Sequence, residues 1–356
     1  MNKAINKLKQ KKSLPLDQFI NMALYNKKFG YYMKKNPFGK KGDFITSPLI
    51  SNLFGEIITI WCVAFWKNLN KPKKIIITEL GPGDGTLCKD IINASKNFGD
   101  FYKCLEIYLL EKSNKLKKIQ KEKVKSKKVK WINKISEIKH GPLIFLGNEF
   151  FDSLPIKQIY KKNKKFFERH VALLNSKSKN IKFINKKANI NLIKNIKKFN
   201  LVSDENIIEY PLNAIKYLNL IANKILKFDG GLLIFDYGYT SQKSKDTLQS
   251  ILKHKPQNIF SNIGEADISA HINYKLFSEV LIKNNLLVKR IVNQNEFLQK
   301  LGIVERANII SKNMSFAEKA NLYYRLKRLL HYDEMGNLFK VMFAKKRGNN
   351  FSLGFE

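Results

Sequence analysis

Residues 74–86 constrain the fold of this chain more than any other stretch. The run 74–80 is β-branched and nearly all apolar, as in a strand buried on both faces. Three glycines follow at alternate positions, Gly81, Gly83 and Gly85, and Thr86 leads into a helical pattern over 87–95. Glycine lets the backbone approach a ligand, and the first turn of a helix presents N–H groups with no partner inside the helix. A strand, a glycine turn and a helix in that order make a ligand-holding unit at the carboxyl end of a sheet. The rest of the chain keeps the same rhythm. Strand-like text at 107–110, 129–132, 141–147 and 231–236 alternates with helical text at 51–68, 113–122, 211–227 and 275–284. Such alternation implies an α/β fold with a mostly parallel sheet and helices on both faces. Two late strands, 287–293 and 338–345, lack crossover text and imply an antiparallel strand at one edge.

At 356 residues and 44% hydrophobic content, the chain can form one large α/β domain with an insertion, or two small domains. Residues 1–70 read as an N-terminal helical segment, with a helix over 16–25 and a lid loop over 31–48. Residues 71–155 form the first part of the ligand-binding domain and 206–346 the rest of it. Between them, 156–205 break the rhythm with Lys-rich text, and candidate strands at 166–174 and 180–185 suggest an inserted β-hairpin subdomain. Residues 347–356 read as a mobile tail, and 240–273 as a long loop.

The spacing and charge of the glycine turn narrow the ligand. Dinucleotide sites use G-x-G-x-x-G and seat a pyrophosphate on the helix N-terminus. The glycines at 81, 83 and 85 fail that spacing, and the chain has no G-x-x-x-x-G-K-[ST]. Glu79 and Asp84 put two carboxylates at the turn, where they would repel a pyrophosphate. S-adenosylmethionine has no phosphate but carries an ammonium and a sulfonium, which suit an acidic turn. Glu111, ending the next strand, is placed to accept both ribose hydroxyls. Read without the flanking acids, the glycines equally describe a tight strand–helix connection.

Asn148-Glu149-Phe150-Phe151-Asp152 follows another buried strand and should line the substrate side of the crevice. Its two acids beside two aromatics read either as recognition of a cationic group or as helix capping and core. Asp236-Tyr237-Gly238 ends a further core strand. Gly42-Asp43-Phe44-Ile45-Thr46 lies in the lid loop, either over the ligand or as an ordered loop with caps. His271 fits a site or a loop equally, and the five histidines have no metal-ligand spacing. Cys62, Cys88 and Cys104 sit in apolar text without redox or ligand spacing, as core thiols in a reducing compartment.

A net charge of +37 suggests nucleic acid. However, the 66 basic residues include six Arg, the preferred side chain for bidentate phosphate and guanine contacts, against 60 Lys. Abundant Lys, Asn, Ile and Phe match an AT-rich coding bias on a solvated surface. No apolar run is long enough to span a bilayer, and the basic N-terminus lacks a signal peptide's apolar stretch and a transit peptide's arginines. A cytoplasmic bacterial protein without membrane insertion is the simplest reading; a eukaryotic source would make it mitochondrial.

Taken in order, the motifs resemble one family. They are Phe29-Gly30-Tyr31-Tyr32, Gly42-Asp43-Phe44-x-Thr46, Phe54-Gly55-Glu56, Glu79-Leu80-Gly81-Pro82-Gly83-x-Gly85-Thr86-Leu87, Asn148-Glu149-Phe150-Phe151-Asp152-x-Leu154-Pro155, Asp236-Tyr237-Gly238, Asp246-Thr247-Leu248-Gln249, Ala266-Asp267-Ile268-Ser269-Ala270-His271, Phe297-Leu298-x-x-Leu301-Gly302-Ile303-x-x-Arg306-Ala307 and Met335-Gly336-x-Leu338-Phe339-Lys340-Val341. Over about residues 16–345 the chain is similar to the MidA-like class I methyltransferases. The resemblance implies a Rossmann-like class I methyltransferase sheet and S-adenosyl-L-methionine as cofactor. It implies a protein arginine as acceptor, in particular in the large catalytic-core subunit of respiratory complex I. Gly42, Asp43, Thr46, Glu79, Gly81, Gly83, Gly85, Thr86, Glu111 and Asn148 are the expected cofactor-binding residues. Glu149 and Asp152 are the expected catalytic residues, with Asp43 and Asp236 in reserve. Asp84 departs from a basic residue in many relatives, and 156–200 match weakly. Two rival functions follow from the same text: a non-catalytic assembly chaperone that retains the cofactor pocket, and a nucleic-acid methyltransferase. Against the second, the segment at 148–152 lacks the (Asp/Asn/Ser)-Pro-Pro-aromatic pattern that stacks a flipped base. The oligomeric state is not written in the sequence.

Overall fold

In the computed structural model, which describes residues 6, 8, 11–34, 37–39, 42–43, 46–175, 180–203, 207–241 and 243–356, the central sheet has nine strands: the short Ile272–Asn273 and Val292–Asn293, paired with Gly230–Tyr239 and Phe339–Lys346, and seven in one continuous row. The seven are β1 (Ile75–Leu80), β2 (Leu105–Leu110), β3 (Val129–Ile132), β4 (Leu143–Asn148), β5 (Gly230–Tyr239), β6 (Leu286–Val288) and β7 (Phe339–Lys346). Their spatial order is β6-β7-β5-β4-β1-β2-β3. From β1 to β5 all neighbours are parallel. β7 runs antiparallel to both β5 and β6. The expected antiparallel strand is therefore present, one position in from the margin. β7 is buried along nearly its whole length and needs a neighbour on each side, whereas three-residue β6 has one exposed position and tolerates the edge. Strand order reverses between β1 and β4, which makes their carboxyl ends the switch point where sheets of this kind hold ligands.

The described residues fall into two units, and the sheet belongs to the one formed by 45–150, 218–238 and 280–356. Register aligns Ile77 with Ile107 and Ile144. That face packs on helices α1 (Asn52–Asn68) and α2 (Thr86–Ser95) through Ile57, Trp61, Leu87 and Ile91. The alternate positions Ile76, Phe145, Leu232 and Ile234 are equally buried on the opposite face. Helix α3 (Asn114–Val124) starts at Ser113, whose hydroxyl accepts from the Leu116 N–H. The segment after Arg347, expected to be a mobile tail, instead buries Phe351 and Phe355. Both are too apolar to leave in water, and they find ring partners in Trp61, Phe343 and Phe297. The Trp61 indole N–H donates to Leu353 O at 3.2 Å.

The other unit comprises 1–44, 151–217 and 239–279. Its sheet pairs Ser13–Pro15, Lys165–Asn175, Lys157–Lys162 and Ile207–Tyr210 in that order, with Asn180–Lys187 also on Lys165–Asn175. The hairpin strands expected at 166–174 and 180–185 lie inside two of these. Helix Leu16–Tyr25 buries Phe19, Ile20 and Ala23 in a core with Val171 and Ile268. Where a long loop is expected, Gln249–Leu252 pairs with Lys255–Gln257 and Asp267–Ser269. Its turn, Lys253-His254, is left-handed at both residues (φ 50° and 62°), the geometry of a two-residue hairpin without the Asn-Gly that usually announces it. Among the described residues no helix is long and apolar enough to cross a membrane.

Candidate functional site

Gly81, Gly83 and Gly85 all have left-handed φ, 60°, 55° and 85°. At Gly81 a Cβ would lie 2.7 Å from the Phe150 ring, so glycine is required by space as well as by dihedral. Gly85 caps α2, with its N–H donating to Pro82 O at 2.8 Å. The Gly81 N–H reaches Leu110 O at 3.1 Å, tying the turn to the end of β2.

Glu79 is buried, and among the described residues nothing hydrogen-bonds its Oε2. Burial, then the charges of Asp84 and Asp90, push its carboxyl up to about 8. A buried carboxylate oxygen left without a donor is costly unless a ligand completes it. Asp84, the second acid expected to meet the ligand, is engaged elsewhere. Its Oδ1 accepts from the Thr86 N–H at 3.1 Å and the Thr86 hydroxyl at 2.7 Å, and its Oδ2 pairs with the Lys123 ammonium. Lys123 also donates to Thr86 Oγ1 at 2.8 Å. Thr86, an expected cofactor residue, thus has its hydroxyl held inside this network. The turn is left with one uncompensated acid, which fits a ligand bearing a positive centre and no phosphate.

Glu111 is buried at the end of β2. Its Oε1 accepts from the Ser113 N–H at 2.7 Å and its Oε2 from Gln120 Nε2 at 3.1 Å. Burial raises its pKa, and those two donors oppose the rise. The Lys112 N–H opposes the rise as well. Asn148, last in β4, donates Nδ2 to Glu149 Oε1 at 3.2 Å, and its buried Oδ1 meets no described partner. Glu149 adopts φ 49°, its N–H donates to Phe235 O at 2.9 Å, and its Oε1 accepts from the Ser47 N–H at 3.3 Å. Asp236, fully buried in β5, accepts from the Tyr237 N–H at 3.0 Å. Thr46 precedes the short helix Ser47–Ile50 and makes no side-chain cap.

The other expected residues belong to the second unit. Asp43 accepts from the Tyr31 hydroxyl at 2.7 Å and from the Lys253 N–H at 2.7 Å, so both its oxygens tie the lid loop to neighbours. Gly42 lies against Pro37 O, 2.2 Å from where a Cβ would sit. Lys40, Lys41, Phe44 and Ile45 of that loop lie outside the described residues. Asp152 is buried, and its carbonyl accepts from the Ala270 N–H at 3.1 Å. His271 donates its N–H to Thr247 Oγ1 at 2.9 Å. Sequence reading gave no separate role to Asp267, whose Oδ1 accepts from the Tyr32 hydroxyl at 2.8 Å. Burial, then Asp152, pushes Asp267 up to about 7. It also missed Gln120 and Lys123. Leu116, Gln120 and Val124 form the buried stripe of α3 at i, i+4 and i+8, and an amide within an apolar stripe is the signal that could have found Gln120.

Comparison with known proteins bears out the resemblance read from the motifs. Mitochondrial protein arginine methyltransferase NDUFAF7 of Xenopus tropicalis is 28% identical over 96% of this chain and 84% of its own. The human protein of that name is 26% identical over 94% and 80%. A crystal structure of a Burkholderia thailandensis protein bound to S-adenosyl-homocysteine superposes with a TM-score of 0.83, covering 99% of this chain and 94% of that one at 19% identity, which establishes the fold. The family model of S-adenosyl-L-methionine-dependent methyltransferases matches residues 57–292. That span includes the glycine turn, Glu111 and Glu149, and the chain belongs to this family.

Proposed function

We propose that this protein transfers a methyl group to an arginine of a protein substrate. The observation that carries the reading is the extent of similarity to proteins named protein arginine methyltransferases, which spans nearly the whole chain. When bound, S-adenosyl-L-methionine supplies an activated methyl group and departs as a neutral thioether. Glu79 faces the cationic end of the cofactor, Glu111 takes the ribose hydroxyls, and the backbone of Gly81–Gly85 gives room for close approach. Thr46 and Asn148 complete the cofactor set on the same unit.

An arginine side chain stays protonated, with a pKa above about 12. Its nitrogens attack poorly unless carboxylates orient the guanidinium and draw the positive charge away from one of them. Glu149 and Asp152 are assigned that task. The nitrogen–methyl bond forms as the methyl–sulfur bond breaks, the bonding pair leaves with sulfur, and the surplus proton passes from nitrogen to a carboxylate or solvent. The donor is already activated, so positioning provides most of the catalysis. Within this reading the large catalytic-core subunit of complex I is the first substrate to try. The buried free thiols of Cys62 and Cys88 favour a reducing compartment, here the bacterial cytoplasm.

The test uses labelled cofactor with complex I peptides and with cell lysate. Methylarginine in the hydrolysed protein is the expected product. Label in nucleic acid, or no transfer with intact cofactor binding, would overturn the reading. Glu149→Gln is expected to abolish transfer and leave cofactor affinity within about threefold.

A further inference from the structure

Gln120 is wholly buried on α3, and every hydrogen-bonding atom of its amide is used. Its Oε1 accepts from the Trp131 indole N–H at 2.9 Å. Its Nε2 donates to Gly83 O at 2.8 Å and to Glu111 Oε2 at 3.1 Å. An indole N–H can only donate, so the amide oxygen must face Trp131 and the NH2 must face the turn and the acid. The amide therefore has one orientation. It bridges the middle glycine of the turn, through its carbonyl, to the carboxylate that ends the neighbouring strand. The backbone ladder joins the two segments only as far as the Gly81 N–H and Leu110 O, and the amide carries the link on to Gly83 and the Glu111 side chain.

We infer that Gln120 is the positioning residue of the adenosyl subsite. It holds the Glu111 side chain against the glycine turn and aims it at the two ribose hydroxyls. It rests on the assignment of Glu111 to the ribose. The chemistry at this position is restrictive. Glutamate would set a second carboxylate against Glu111. Methionine would fill the space without donors and leave Gly83 O, the Trp131 N–H and one Glu111 oxygen unsatisfied.

The experiment measures binding of S-adenosylhomocysteine and its 2′-deoxyribose analogue to the full-length protein by calorimetry. Wild type is expected to prefer the ribose compound by about tenfold or more. Gln120→Met should weaken the ribose compound by about tenfold to a hundredfold and leave the deoxy compound much less affected, so the preference collapses. Gln120→Glu should be weak at pH 8 and recover towards wild type near pH 5.5, where a protonated carboxyl can again donate to Glu111. If Gln120→Met does not fold, this pH recovery alone decides the matter. Glu111→Ala separates the two assignments. Loss of the ribose preference in Glu111→Ala but not in the Gln120 variants would leave Glu111 in place and overturn the role of Gln120. An undiminished preference in Glu111→Ala would overturn the ribose assignment itself. A uniform loss for both ligands in Gln120→Met, with no acid recovery in Gln120→Glu, would make Gln120 merely structural.

Discussion

Glu79, next to last in β1, lies almost entirely out of water, and burial, reinforced by Asp84 and Asp90, pushes its carboxyl up to about 8. Below the ordinary carboxylate range the group is protonated in folded and unfolded chains alike and adds no pH dependence. Between there and pH 8 the unfolded chain ionises while the folded chain keeps its proton. Stability without ligand therefore falls as pH rises through that window and levels off above 8. A cationic cofactor selects the carboxylate, so its affinity runs the other way. It is expected to climb by up to about tenfold per pH unit to a plateau above 8. Titration calorimetry at pH 6 to 9 on wild type and Glu79→Gln checks both trends, and a flat wild-type profile would detach Glu79 from the ligand's charge. At Gly81, alanine meets a left-handed φ and the Phe150 ring together. Gly81→Ala is expected to cost about 1–3 kcal/mol in chemical denaturation. The glycines were legible because no other residue type fits such a turn. The different fates of Glu79 and Asp84 were not, because they depend on Lys123, which is 39 residues from Asp84 and close to it only in the fold.

Helix α3 serves as the back wall of the turn. Gln120, Lys123 and Val124 lie on one side of it and touch Gly83, Asp84 and Gly85 respectively. In sequence this helix is a run of lysines around three buried positions, and its text reads as a helix over 113–122 with no tie to the turn. Removing the lysine leaves Asp84 with its Thr86 bonds but no counter-charge. Lys123→Met is expected to lower stability by about 1–3 kcal/mol, and adding Asp84→Asn should recover more than half of that. Equal losses in the single and double variants, measured by urea denaturation, would show that the pair is not the cause. The parallel strands are legible as unbroken apolar runs and the longer helices by their hydrophobic period. The small sheet at 249–269 was not, since its strands have at most four residues and its turn carries lysine and histidine where glycine would have marked it.

For the molecule as a whole, the last ten residues join the core of the sheet-bearing unit. Phe351 and Phe355 pack beside Trp61, Phe297 and Phe343, and the buried Lys345 ammonium donates to Phe351 O. Burial lowers the Lys345 pKa to about 8, so loss of that carbonyl would leave a poorly solvated amine. Phe351→Ala is expected to cost about 3 kcal/mol, and deletion of 347–356 to lower the thermal midpoint by 10 °C or more, as roughly follows from two buried aromatics. An unchanged midpoint on deletion would sink this account.

The reversed strand β7 has a consequence for how the chain is made. It fills the gap between β5 and β6, yet it is synthesised after both. Until residue 346 has left the ribosome, β5 presents an unpaired row of backbone groups and β6 has nothing to join. A nascent or prematurely ended chain therefore displays an open, apolar sheet margin from the completion of β5 until that of β7, a template for association with other chains. Truncated products should accumulate in chaperone complexes or inclusion bodies, and full-length chains should not.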